Sequence, residues 1–215
     1  MGTDNIDIVF NEIDALFSFD LNSAKPLHSP SPLTFIRLGT SGAIQANIAL
    51  DSLVVAKGAI GFDNLMHYYD PKMSDHPLAE SLHAHMGNPK KINHPYYALG
   101  DESLLAACID LGMQQGIIAT NAGFYAPQGR HLRTQKVVDY DNHHLSQFKY
   151  NNSVITNFDM ETAGIYGLSR VLGHKAISVS AILANRINGT FSKNPDQAVH
   201  DMIATVTSAI KEGKL

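Results

Sequence analysis

The chain of 215 residues is 44% hydrophobic and 17% charged, with a formal net charge of −4, which excludes a disordered segment and a basic nucleic-acid binder. One cysteine, Cys108, rules out an internal disulfide framework and suits a reducing cytosol. No run approaches the roughly 20 apolar residues of a membrane span, and Met1 is followed by polar and acidic residues instead of a basic signal-peptide start, so a cytoplasmic protein is expected.

From the N-terminus, Ile6, Val9, Phe10, Ile13, Leu16 and Phe17 recur at helical spacing and predict a helix over residues 4–17, with Asp4 as its cap. Residues 20–32, with Pro26, Pro30 and Pro32, read as a loop. A short strand over residues 34–38 runs into a Gly-Thr-Ser-Gly turn, and residues 52–60 form a second strand. Residues 63–100 are rich in His, Pro, Asn and Tyr and read as surface excursions. Asp101 caps a helix that stops near Gly112, and Cys108 on it reads as core packing. Strands follow over residues 116–120 and 154–157. A helix over 160–172 is closed by Gly173, a buried strand covers 175–184, and a last helix covers 195–211. Alternating strands and helices predict an α/β fold, with ligands beyond the carboxyl ends of the strands.

Four stretches at predicted strand ends carry chemistry. Arg37-Leu38-Gly39-Thr40-Ser41-Gly42 offers backbone N–H groups, hydroxyls and a guanidinium suited to an anion. The same letters fit a plain turn with a surface arginine. Phe124, Gln128 and Arg130 combine an aromatic ring, an amide that both donates and accepts, and a planar cation, a set that suits an imide edge. Taken alone, the stretch is better explained as a polar, Pro- and Gly-bearing surface loop. In Phe158-Asp159-Met160-Glu161, Asp159 reads as a helix cap, whereas Glu161 can accept from vicinal hydroxyls with Met160 against a sugar face. Asn185-Arg186 places a second arginine where it can buttress the base loop or simply emerge into solvent. His67, beside Tyr68 and Tyr69, is a further candidate or part of a half-exposed aromatic patch. The eleven histidines form no His-Glu-x-x-His pattern, so no metal is expected.

Together these stretches resemble the nucleoside phosphorylase family of the uridine phosphorylase type, along nearly the whole chain. The resemblance implies a three-layer α/β/α fold with a central mixed sheet, and a single domain over residues 1–215 that is N-terminally shortened. The family's Gly-Asp-Pro phosphate loop, further arginines and a histidine from a neighbouring subunit are expected to be missing. It implies phosphate binding by Arg37, Gly39 and Thr40, and ribose binding by Thr40, Met160 and Glu161. The base would be held by Thr40, Ser41, Gly42, Phe124, Gln128, Arg130, Leu183, Ala184 and Arg186. Arg37, Gln128, Arg130 and Glu161 would be the catalytic set. The expected reaction is phosphorolysis of a uridine-like nucleoside to free base and (deoxy)ribose 1-phosphate. Inorganic phosphate is the co-substrate, no cofactor is needed, and the protein is expected to be a homo-oligomer, dimeric or hexameric. The purine enzymes carry a Ser-Asp pair where this chain has Ser180-Ala181-Ile182-Leu183-Ala184, so a purine phosphorylase or a nucleosidase fits less well. The alternative is a shortened homologue that binds nucleosides or assembles without turnover.

Overall fold

The computed structural model describes residues 2–90, 92–133 and 142–215. The first helix, α1 (Thr3–Ser18), starts from Gly2, and Asp4 sits in its first turn instead of capping it. The segment read as a loop contains a short hairpin, β1 (Phe19–Asp20) and β2 (Lys25–Pro26). The sheet proper follows with β3 (Thr34–Ala43) and β4 (Leu53–Gly61). Next come α2 (Leu65–Tyr69), α3 (Pro77–His85), β5 (Tyr96–Leu99), α4 (Glu102–Asp110) and β6 (Gln114–Thr120). The last third holds α5 (Asn142–Gln147), β7 (Lys149–Tyr150), β8 (Ser153–Asp159), α6 (Thr162–Leu172), β9 (Lys175–Asn185), β10 (Thr190–Phe191) and α7 (Pro195–Lys211).

The sheet is mixed and closes on itself. Strand β3 runs parallel to β9 along its whole length, and its last residues pair antiparallel with the end of β8, Gly42 opposite Phe158. Strand β8 is parallel to β6, β6 is parallel to β4, and β4 returns antiparallel to β9, with Leu53 opposite Ala181. The five strands β3, β8, β6, β4 and β9 thereby form a ring without a free edge. Helices flank it in three apolar clusters. Ile6 and Phe10 of α1 pack with Met66, Ile165 and Leu168; Leu78 and Leu82 of α3 pack with Leu145 and Phe148; Leu104 and Cys108 of α4 pack with Met202 and Val206 of α7. Cys108 is fully buried, and burial pushes its thiol up to about 11.

Residues 63–100 differ most from the expectation. They hold two helices and a strand, and Met66, Leu82, Tyr96 and Ala98 are fully buried. Tyr68 and Tyr69 stay exposed, whereas Tyr96 and Tyr97 point inward, because Gly61 and Gly58 on β4 leave room for their rings. Any Cβ at either glycine would collide with them.

One side chain ties the ring to the helix layer. The register of β4 against β6 shifts between Ala56 and Gly58, a bulge. The buried Tyr166 hydroxyl of α6 donates to the Ala56 carbonyl at 2.6 Å and accepts from the Ser178 N–H at 2.9 Å. Tyr166→Phe leaves both of those buried groups short of a partner and should cost about 1–3 kcal/mol, measured by urea unfolding.

Candidate active site

The Gly-Thr-Ser-Gly stretch is not a turn. It lies inside β3, and neither Gly39 nor Gly42 has a positive φ. Glycine is required there for space. Arg37 and Gly39 face the same side of the strand, and the Arg37 guanidinium lies flat over Gly39, where a Cβ would stand 2.7 Å from its Cζ. At Gly42 a Cβ would stand 3.1 Å from Nε of Arg186. The two glycines let two arginines cross the strand.

Arg37 ends beside two carboxylates. Its Nη2 donates to Glu161 Oε2 at 2.6 Å and lies 3.5 Å from Asp159 Oδ2, while Nη1 reaches Ser178 Oγ at 3.4 Å. Glu161 is the residue that precedes α6, and Asp159 ends β8. The Asp159 side chain accepts from the backbone N–H of Thr162 at 3.0 Å, although the N-cap position of α6 is Glu161 and not Asp159 as the sequence suggested. It is also buried and accepts from Thr120 Oγ1 at 2.6 Å. Burial raises its pKa, and Arg37, Thr120 and Thr162 act against that rise.

The loop after β6 folds on itself through a single 3₁₀ turn, Ala126–Gln128, and Gly129 at φ 72°. The Arg130 guanidinium sits 3.8 Å over the Phe124 ring and donates to the Phe124 carbonyl and to Gln128 Oε1, both at 2.7 Å. Arg186, entering from the end of β9, donates to Gln128 Oε1 at 2.6 Å and to the Gln128 carbonyl at 3.0 Å. Two guanidinium groups thus share one amide oxygen, which fixes the orientation of the amide and leaves its N–H₂ as the group on offer. Burial lowers the pKa of both arginines, Arg186 to about 10 with Arg130 contributing, so both stay charged at neutral pH. Asn185 locks the entry of Arg186, donating to the carbonyls of Gln45 and Ile48 and accepting from the N–H groups of Ile187 and Asn188.

Arg37, Thr40, Gly42, Phe124, Gln128, Arg130, Met160, Glu161 and Arg186 line one open cleft of about 240 Å³, together with Phe158 and Asp159. Four other residues do not line it. Gly39 lies under Arg37. Ser41 donates to the Phe158 carbonyl at 2.5 Å and accepts from Asn157, so it joins β3 to β8. Leu183 packs outward with the cluster of Val179 and Met202, and Ala184 faces Gly42 across the β3–β9 pair. Leu183, expected at the base pocket, packs against the helix layer at the bulge where β9 carries one residue more than β3 between Ile182 and Ala184. His67 is also elsewhere, bonded to the His94 carbonyl at 3.0 Å and edge-on to Tyr96. Phe158, under the Arg186 guanidinium at 4.8 Å, carries a part that the sequence did not signal, since an apolar residue at a strand end reads as core. Among the described residues no cluster of His, Cys, Asp or Glu could hold a metal ion, and no helix is long and apolar enough to cross a membrane.

The mixed sheet thus gathers at its strand ends two arginines around an amide, and a third beside two carboxylates. Residues 1–212 match the family model of the Phosphorylase superfamily, and the chain belongs to that family. A uridine phosphorylase of Thermococcus kodakarensis is 28% identical over 162 residues, 74% of this chain and 51% of the relative. A purine nucleoside phosphorylase, DeoD-type, of Buchnera aphidicola from Schizaphis graminum is 27% identical over 78% of this chain and 59% of its own. The chain therefore spans about half the length of the first of these relatives. The structure of a Trypanosoma brucei nucleoside phosphorylase showing uridine phosphorylase activity superposes with a TM-score of 0.83 at 26% identity, covering 99% of this chain and 78% of that one.

The shared amide oxygen makes a distinct prediction. Gln128→Leu strands two partly buried guanidinium groups and should lower stability by about 1.5–3 kcal/mol, the worth of hydrogen bonds to charged groups. Gln128→Glu places a carboxylate between the same two cations and should raise Tm. Differential scanning calorimetry of the two variants checks both signs.

Proposed function

We propose that the cleft carries out phosphorolysis of a pyrimidine nucleoside of the uridine type, releasing the base and a pentose 1-phosphate. The observation that carries this reading is the division of charge along the cleft. Arg130 and Arg186 meet at Gln128, and among the described residues neither forms a salt bridge with a carboxylate, while Glu161 and Asp159 both gather at Arg37. A uracil ring seated against Phe124 would face a donor-only edge, the Gln128 N–H₂ and the free N–H groups of Arg130, matched to its carbonyl oxygens. As the glycosidic C–N bond breaks, its electron pair passes to the base. The anion is held by two guanidinium groups in a partly desolvated site, so no acid is required to protonate it.

At the other end, Glu161 accepts from sugar hydroxyls, the Met160 thioether packs on the sugar, and phosphate lies against Arg37 and Thr40. A phosphate oxygen then forms the new bond at an anomeric carbon with oxocarbenium character, and positioning supplies much of the rate. Purine phosphorylases stand among the relatives, but residues 180–186 offer no acid for a purine nitrogen, which favours the pyrimidine. The reading includes a homo-oligomer, consistent with the exposed apolar side chains Ile8, Leu16, Phe17 and Leu21 of α1 and the first hairpin.

Uracil release from uridine is expected only when phosphate is present. Release without phosphate would make the protein a nucleosidase, and no release under either condition would overturn the reading. In the same assay Arg130→Ala should lower kcat/KM by about 10²–10³-fold, the usual loss for one preorganised donor.

A further inference from the structure

Asp159 does more than accept from the first N–H of α6. Thr162 Oγ1 approaches both Asp159 Oδ2 and, at 2.9 Å, Ser178 Oγ. A hydroxyl carries one proton, and a carboxylate can only accept. Thr162 therefore donates to Asp159 and accepts from Ser178. Ser178, having given its proton to Thr162, meets Arg37 Nη1 as an acceptor at 3.4 Å. The contacts close into a cycle in which two donor paths leave Arg37 and both end at Asp159: Arg37 to Ser178 to Thr162 to Asp159 on one side, and Arg37 Nη2 directly to Asp159 at 3.5 Å across an ion pair on the other. Thr162 and Ser178 are buried, as is Asp159, and the other Asp159 oxygen is taken by Thr120.

We propose that Asp159 is a positioning residue for Arg37, the acceptor on which both donor paths of this hydrogen-bond cycle end, and that the cycle holds the guanidinium over Gly39 with its remaining N–H edge turned to the anionic co-substrate. The alternative source of order, the Glu161 ion pair, grips only Nη2. The cycle fixes both terminal nitrogens and so sets the plane of the group, the property that matters for planar recognition of a phosphate. Neither oxygen of Asp159 can become an amide N–H₂ without facing a donor, because Thr120 donates to one and Thr162 to the other. Asp159→Asn therefore breaks the cycle while keeping the shape of the side chain.

The kinetic arm rests on the phosphorolysis reading. In Asp159→Asn and in Ser178→Ala the KM for phosphate should rise about tenfold while the KM for the nucleoside stays within about twofold. The double variant should be no worse than either alone, since one cycle is cut in both cases. A fall in kcat with the phosphate KM unchanged, or additive losses, would overturn the proposal and leave Asp159 a structural acceptor for α6. A second arm needs no turnover. The side-chain Nε–Hε NMR signal of Arg37, assigned by its loss in Arg37→Lys, should be sharp in the wild type and broadened in both variants. An unchanged signal overturns the proposal whatever the activity. A sharp signal that broadens as described, in a protein that releases no uracil, overturns phosphorolysis and leaves the positioning of Arg37 standing.

Discussion

The cleft end of this fold hangs on one buried carboxylate. Asp159 receives Thr120 from the end of β6 and both the hydroxyl and the N–H of Thr162 from the start of α6, and it faces Arg37 from β3. Thr120 accepts in turn from the N–H of Ala163. Strand, strand and helix are therefore fastened at a single charge. An unpaired charge at this depth would cost several kcal/mol, and the arrangement is tolerable because every oxygen is occupied and a cation lies beside it. The closed ring of five strands brings those ends to one place.

From that fastening follows the polarity of the cleft. Carboxylates collect at the α6 N-terminus, where the helix dipole favours them, and they draw Arg37 to that side. The β6 and β9 ends bring Arg130 and Arg186 to an amide instead. A single glutamine oxygen satisfies both cations without cancelling either, so the charge stays available to a departing anion. The two ends are separate in chemistry although they share a volume of only about 240 Å³.

Much of this was legible in the sequence because it resides in local patterns. Strand and helix order followed from apolar periodicity, Asp101 and Gly173 marked helix ends, and Arg37, Gln128, Arg130, Glu161 and Arg186 stood out as polar groups at strand termini. What failed did so for non-local reasons. Residues 63–100 read as surface because His, Pro and Tyr are ambiguous. The burial of Tyr96 and Tyr97 depends on Gly61 and Gly58, on a different strand, leaving ring-sized gaps. Gly39 and Gly42 read as a turn because glycine usually signals backbone freedom. Here it signals missing volume, which no single-strand pattern reveals.

The lone thiol, sealed between α4, β9 and α7, gives the molecule an internal clock. A reagent that reacts only with thiolate reaches Cys108 only when that layer separates. Burial also keeps the group protonated, with its pKa near 11 while folded. The rate at which the thiol is modified therefore counts openings of one helix layer against the ring, unobscured by any second cysteine. That layer carries none of the cleft's side chains, so a ligand that slows the clock would be tightening the whole ring of strands from the opposite side.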